Sequence, residues 1–188
     1  MSLICGVGVF DCVGESKTKD YFLWREMIRR CYTPSVKLRT PNYKDCLVDD
    51  FFLVYSNFKS WVSNQVGYNQ QGFQLDKDIL VKGNKVYSPN TCVFVPKEIN
   101  CLIIPRKSVR GEYPIGVTFD PKIGKFRSQM NAGGKKRHMG LFVNPEGAFN
   151  AYKQAKEDYI KSLAEKWKDK IDPRVYEALM KYEVEITD

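Results

Sequence analysis

The sequence predicts an α+β protein, and three observations carry that expectation. Apolar and aromatic residues recur near helical spacing in two segments before residue 63, and three segments between residues 115 and 142 alternate with period two around turn residues. A long helical stripe then follows from residue 145.

Taken in order, Leu3 to Phe10 is β-branched and glycine-containing and reads as a strand. Lys19 to Arg30 places Phe22, Trp24, Met27, Ile28 and Cys31 on one stripe, with Arg25, Arg29 and Arg30 between them, so an amphipathic helix is expected. Pro34, Pro41 and Asn42 mark residues 32 to 46 as a loop. Asp50 is expected to cap a second helix whose Phe51, Phe52, Tyr55, Phe58, Trp61 and Val62 supply core. A polar turn from Gly67 to Gly72 leads into Phe73-Gln74-Leu75-Asp76.

Further on, Ile115 to Phe119, Lys125 to Asn131 and Lys136 to Phe142 form three expected strands of an antiparallel meander, the last two joined at Gly133-Gly134. Asn144-Pro145-Glu146 supplies an N-cap and a first-turn proline for a helix that runs through Phe149, Tyr152, Tyr159, Ile160 and Leu163 and can cover one face of that sheet. Asp172-Pro173 starts a last helix through Val175 and Leu179.

With 43% hydrophobic, 28% charged and 13% aromatic residues, the 188-residue chain has the make-up of a folded protein, which excludes the disordered and fibrous classes. Its charge of +8 is concentrated. Between Arg106 and Arg137, nine basic residues stand against Glu112 and Asp120, a net of +7. The six cysteines include no C-x-x-C pair and are expected to be reduced and mostly buried. A zinc site from Cys31, Cys46, Cys92 and Cys101, or carboxylate ligands from Glu15, Asp45, Asp49 and Asp50, are weaker readings. Gly6-Val7-Gly8 lacks the third glycine and the helix start of a nucleotide loop. The N-terminus has no basic signal region and no apolar run reaches the ~18 residues that span a bilayer, so a soluble, cytoplasmic protein with no membrane partner is expected.

On the middle strand of the meander, Phe126, Ser128 and Met130 alternate with Lys125, Arg127, Gln129 and Asn131. Period-two geometry assigns the two sets to opposite faces. Thr118 from the preceding strand and Lys136, Arg137 and His138 from the following one complete a polar set. Arginine and lysine donate to guanine edges or phosphates, and asparagine and glutamine pair bidentately with adenine, so the polar face has the chemistry of double-stranded DNA recognition. The plainer reading is the solvated face of an antiparallel sheet. His138, the single histidine, has no second histidine to join in a metal site.

The ordered motifs Ile115-Gly116-Val117, Gly124-Lys125-Phe126, His138-Met139-Gly140-Leu141-Phe142 and Pro145 to Tyr152 resemble the APETALA2/ethylene-response-factor DNA-binding domain. Its pattern has G-V, G-K-aromatic, a tryptophan before L-G-x-F and an alanine-rich helix. The resemblance covers about 50 residues and implies DNA contacts from Thr118, Arg127, Gln129, Asn131, Lys136 and His138; Thr118, Asn131 and His138 stand where the family has arginines or the tryptophan.

A second resemblance covers Leu75-Asp76-Lys77-Asp78, Gly83-Asn84 and Tyr87 to Asn100, which is similar to the core of HNH homing endonucleases of phages. That chemistry needs a histidine base and a divalent cation, such as Mg²⁺, held against the scissile phosphate. The resemblance puts Asp76 at the metal position, Lys77 where the base histidine would stand and Thr91 where the metal asparagine would stand; Asp78, Asn84 or Asn90 are the substitute ligands available. The ordinary mechanism is therefore unavailable.

The expected organisation is an HNH-like half with two helices and a ββα core over residues 1–104, degenerate in its nuclease centre, and a basic linker over 105–112. An APETALA2-like domain over 113–166 and a helical extension over 167–188 complete it. Binding of double-stranded DNA is the leading functional reading. A protein-interaction module that blocks a host or defence protein is the alternative, and an active metal-dependent DNA endonuclease is the third.

Overall fold

The structure, a computed structural model, describes residues 3–103 and 111–188. Most of the expected basic linker, including Arg106, Lys107 and Arg110, lies outside the described residues. The protein is α+β, and the chain divides into two compact units. The first comprises residues 1–96 and 170–175, the second 97–169 and 176–188.

The first unit begins with a correction. Leu3 to Phe10 does not form a strand: Cys5 and Gly6 both have positive φ, the chain reverses, and Ile4 and Gly8 exchange backbone hydrogen bonds of 2.8 and 2.9 Å. Helix α1 (Lys19–Tyr32) follows, and the side chain of its N-cap Thr18 accepts from the Tyr21 N–H. It buries Trp24, Met27, Ile28 and Cys31 as the spacing predicts, whereas Phe22 of the expected stripe is 44% exposed.

The expected loop over residues 32–46 contains a short helix, α2 (Pro34–Arg39), and a 3-10 turn at Pro41–Tyr43. Pro34 and Pro41 both stand in first turns, where the missing N–H costs nothing, so they open these turns rather than prevent them. Strand β1 (Leu47–Val48) comes next.

The second expected helix is split into α3 (Asp50–Leu53) and α4 (Tyr55–Val62), and its cap is Asp49, whose side chain accepts from Phe51 N–H. The split has a physical cause. Val54 is extended, and the backbone groups freed at the break are taken by Val9, which donates to Leu53 O at 2.8 Å and accepts from Tyr55 N–H at 2.9 Å. Phe52, Tyr55, Phe58 and Val62 are fully buried with Trp24, whose indole N–H donates to Phe52 O at 2.7 Å; Phe51 instead faces outward at 46% exposure.

Two small sheets complete this unit. Strand β2 (Phe73–Asp76) pairs antiparallel with β4 (Val93–Pro96), and β3 (Val86–Tyr87) pairs parallel with β1. Cys31, Cys46 and Cys92 are buried, whereas Cys5 and Cys101 are exposed and Cys12 is half-buried; all six thiols are free.

The second unit starts at α5 (Lys97–Ile103) and contains the meander β5 (Val117–Asp120), β6 (Lys125–Ala132) and β7 (Lys135–Phe142), in spatial order β5-β6-β7. One face packs on α6 (Pro145–Trp167), whose N-cap Asn144 accepts from Gly147 N–H at 2.7 Å. Val117, Met130 and Ala132 from the sheet meet Ala148, Phe149 and Tyr152 from the helix. Gly116 is obligatory at this contact. It has a φ of +78°, and a Cβ there would lie 2.0 Å from the Tyr152 ring.

At the other end, Glu98 of α5 pairs with Lys166 of α6 at 2.5 Å and also accepts from the Trp167 indole. The chain ends with α7 (Pro173–Met180) and a tail whose Val184 enters the sheet-helix core. The Val184 backbone is fixed there at both ends, its carbonyl accepting from Lys153 Nζ and its N–H donating to Glu157, each at 2.8 Å. No helix among the described residues is long and apolar enough to cross a membrane.

Candidate nucleic-acid interface

Registry assembles the outer face of the sheet. Thr118 stands opposite Arg127, Arg127 opposite Leu141, Gln129 opposite His138 and Asn131 opposite Lys136. Because Ser128, Met130 and Ala132 are buried toward the helix, Lys125, Arg127, Gln129 and Asn131 lie on the other side.

A β-bulge makes this face continuous. Between Ser128 and Gln129 the register shifts, so Met139 is an extra residue in β7, next to Gly140 with its φ of +136°. Met139 packs into the helix-facing core. Without that extra residue, Leu141 and His138 could not both lie on the outer face, because an odd step along a strand changes sides. The bulge therefore brings His138 and Lys136 beside Gln129 and Asn131.

Seven of the sequence-predicted contacts share this face: Thr118, Lys125, Arg127, Gln129, Asn131, Lys136 and His138. Arg137 does not. It stands opposite Met130, and its guanidinium lies 5.5 Å from the centre of the Tyr159 ring on α6. Among the described residues, the side chains of Thr118, Lys125, Gln129, Asn131, Lys136 and His138 make no hydrogen bond or ion pair, so their donors and acceptors are available to a ligand. Arg127 differs, since its Nη2 meets Asp120 Oδ2 at 2.5 Å.

The face continues at the β5 edge into a cavity of about 370 Å³, lined among others by Thr118, Gln129, Asn131, Lys136, Tyr152 and Lys156. Residue type alone marks neither Asp120 nor Leu141 as a member of this surface. The signal for Leu141 is Gly140, a bulge residue inside a strand pattern.

The positions Asp76, Lys77 and Thr91 in the first unit present the reverse situation. Asp76 is buried, and its Oδ1 accepts from the N–H groups of both Asp78, at 2.9 Å, and Ile79, at 2.7 Å. Burial, reinforced by the neighbouring Asp78 charge, pushes its carboxyl up to about 6. The Lys77 ammonium, also buried, pairs with Asp78 at 2.9 Å and lies 5.6 Å from the Tyr87 ring centre.

Asn84 ties this loop to its neighbour. Its Nδ2 donates to Lys77 O at 2.6 Å and Val86 O at 2.8 Å, and its Oδ1 accepts from Val86 N–H. Thr91 Oγ1 donates to the same Val86 carbonyl at 3.0 Å and lies 2.8 Å from Ser88 Oγ. Asp76, Asn84 and Thr91 thus each hold backbone groups of this loop, while the Lys77 ammonium is spent on the Asp78 carboxylate.

No group of three histidine, cysteine, aspartate or glutamate side chains among the described residues could hold a metal ion. The donors at Asp76 and Thr91 do not fit a divalent cation. The same holds for the zinc reading of the cysteines and for the carboxylates Glu15, Asp45, Asp49 and Asp50. Glu15 pairs with Lys59 at 2.5 Å and Asp49 caps α3.

Compared with known proteins, the chain matches no family model, no curated protein and no solved structure.

Proposed function

We propose that the protein binds double-stranded DNA through the outer face of β5-β6-β7, in the manner implied by its APETALA2-like motifs, and that its HNH-like first half does not cut. One observation carries this reading: among the described residues, a contiguous face of amide, hydroxyl, imidazole and ammonium groups is left uncommitted to the fold, while Val117, Met130 and Ala132 on the opposite face are buried against α6. An unadapted solvent face gains nothing from a bulge that holds both flanking strands in phase, whereas a reader of base edges does.

Chemically, Gln129 and Asn131 offer donor-acceptor pairs matched to adenine, and Arg127 offers a fork matched to guanine. Lys125 and Lys136 are point charges for phosphates, so affinity should fall steeply with salt. For the first half, the consumption of Asp76 and Thr91 by backbone groups supports a scaffold role.

The test is selection of the whole protein against a random duplex library with Mg²⁺ present, reading both enrichment and strand breaks. Enrichment with intact DNA supports the proposal. Recovery of cut duplex, with cutting abolished by Asp76→Ala, would overturn the non-cutting half, and absence of any duplex binding at low salt would overturn the proposal as a whole.

A further inference from the structure

Asp120, the last residue of β5, holds two partners at once. One carboxylate oxygen accepts from the backbone N–H of Lys122 at 3.1 Å, within the turn that leads to β6; the other meets the Arg127 guanidinium at 2.5 Å. The residue directly opposite Asp120 is Lys125, yet Lys125 makes no ion pair with it among the described residues. The carboxylate reaches diagonally to Arg127 instead, so both members of the pair belong to the outer face. The Asp120 side chain is 18% exposed and that of Arg127 39% exposed.

A guanidinium has five N–H donors in a rigid plane. Anchoring one nitrogen on a carboxylate that is itself pinned by a turn fixes that plane and leaves other donors outward. It also neutralises a charge that would otherwise pair with any phosphate.

Resting on the reading of this face as a duplex-DNA surface, we propose that Asp120 is a positioning residue that sets base selectivity: it orients Arg127 for bidentate recognition of a base edge and withholds it from the phosphate backbone. Selectivity is a difference of affinities. Asp120 increases that difference by weakening the unwanted mode.

The experiment compares full-length wild type, Asp120→Asn and Arg127→Lys by duplex selection and by affinity measured across a salt series. The asparagine keeps an oxygen for the Lys122 N–H, so the turn is retained while the charge is lost. Asp120→Asn is expected to bind random duplex several-fold more tightly at low salt, with a log-log salt slope steeper by about one. It is also expected to lose about tenfold discrimination at one base position of the recovered site. Arg127→Lys, which keeps the charge and lacks the fork, should lose the same discrimination without the gain in affinity.

A wild-type protein that selects a site, with both variants discriminating as well as it does, overturns the positioning role while leaving the DNA surface standing. A wild type with no affinity for duplex overturns the surface and the role together.

Discussion

The outer face of the sheet and the Asp76 loop contain similar residue types and use them in opposite ways. On the sheet, the backbone groups of the strands are satisfied by one another, so Gln129, Asn131 and His138 have nothing local to bond. Around the loop the β2-β4 ladder stops at Asp76 and Val93, and beyond it Asp76, Asn84 and Thr91 take its place, donating to or accepting from the backbone of residues 77, 78, 79 and 86. A polar side chain on regular structure is available to a partner; the same side chain in an irregular loop is usually spent on holding the loop together.

That contrast is testable by exchange of roles, and the largest effect is expected on the sheet. Arg127→Ala with Lys136→Ala removes a fork and a point charge from the outer face, which should cost about 2–4 kcal/mol in duplex affinity and reduce the salt slope by about one, Lys136 being the phosphate contact removed. Thermal stability should fall by no more than about 1 kcal/mol, since the Arg127 end of its ion pair is open to solvent. A competition binding assay at two salt concentrations decides it: unchanged affinity at moderate salt breaks the sheet side of the comparison.

In the loop the expected effect falls on stability. An unfolded aspartate titrates near 3.8, whereas Asp76 in the folded protein is pushed up to about 6. Between those values the folded state holds the extra proton, so the contribution of Asp76 to stability is fully present below about pH 4, is lost as pH rises through about 6 and stays lost above it. Asp76→Asn keeps an acceptor for the Asp78 and Ile79 N–H groups and removes the buried charge. It should raise stability by roughly 2–3 kcal/mol at pH 7.5 and by little at pH 4, with duplex affinity intact. Denaturant melts at the two pH values measure this, and a variant less stable at neutral pH would show that the carboxylate has a compensating partner.

The Thr91 prediction is smaller. Thr91→Val loses the hydroxyl bond to the Val86 carbonyl and the one shared with Ser88 Oγ, a change of about 1–2 kcal/mol against stability. Should that variant instead lose duplex affinity with no change in its melt, the loop would be part of the binding surface and its contrast with the sheet would fail.

Legibility in the sequence followed the same division. The meander, its two turns and the Asn144 cap are local, periodic features, and Val117, Met130 and Phe149 are placed by alternation and helical spacing alone. The strand expected at Leu3 to Phe10 failed because Cys5 adopts positive φ beside Gly6, which residue type does not announce. The split at Val54 was hidden because its cause, Val9, is 45 residues away in the chain. The bulge at Met139-Gly140 was likewise invisible to a strict period of two, although the positions it placed on the outer face had been named. Arg137 reads like its neighbours Lys136 and His138, and only cross-strand register separates it from them.

Ser128 gives the smallest effect and probes the inner side of the same strand. It is fully buried between Val117 and Gly140, and its hydroxyl finds no hydrogen-bond partner among the described residues. A buried polar group left unpaired costs desolvation that a methyl group does not, so Ser128→Ala should be neutral or stabilising by up to about 1 kcal/mol. Arg127 and Gln129 flank it on the opposite face, so the substitution perturbs the strand's core side alone and duplex affinity should be unchanged. A loss of affinity without a loss of stability would mean that the bulge geometry depends on the hydroxyl, placing Ser128 among the residues that shape the outer face.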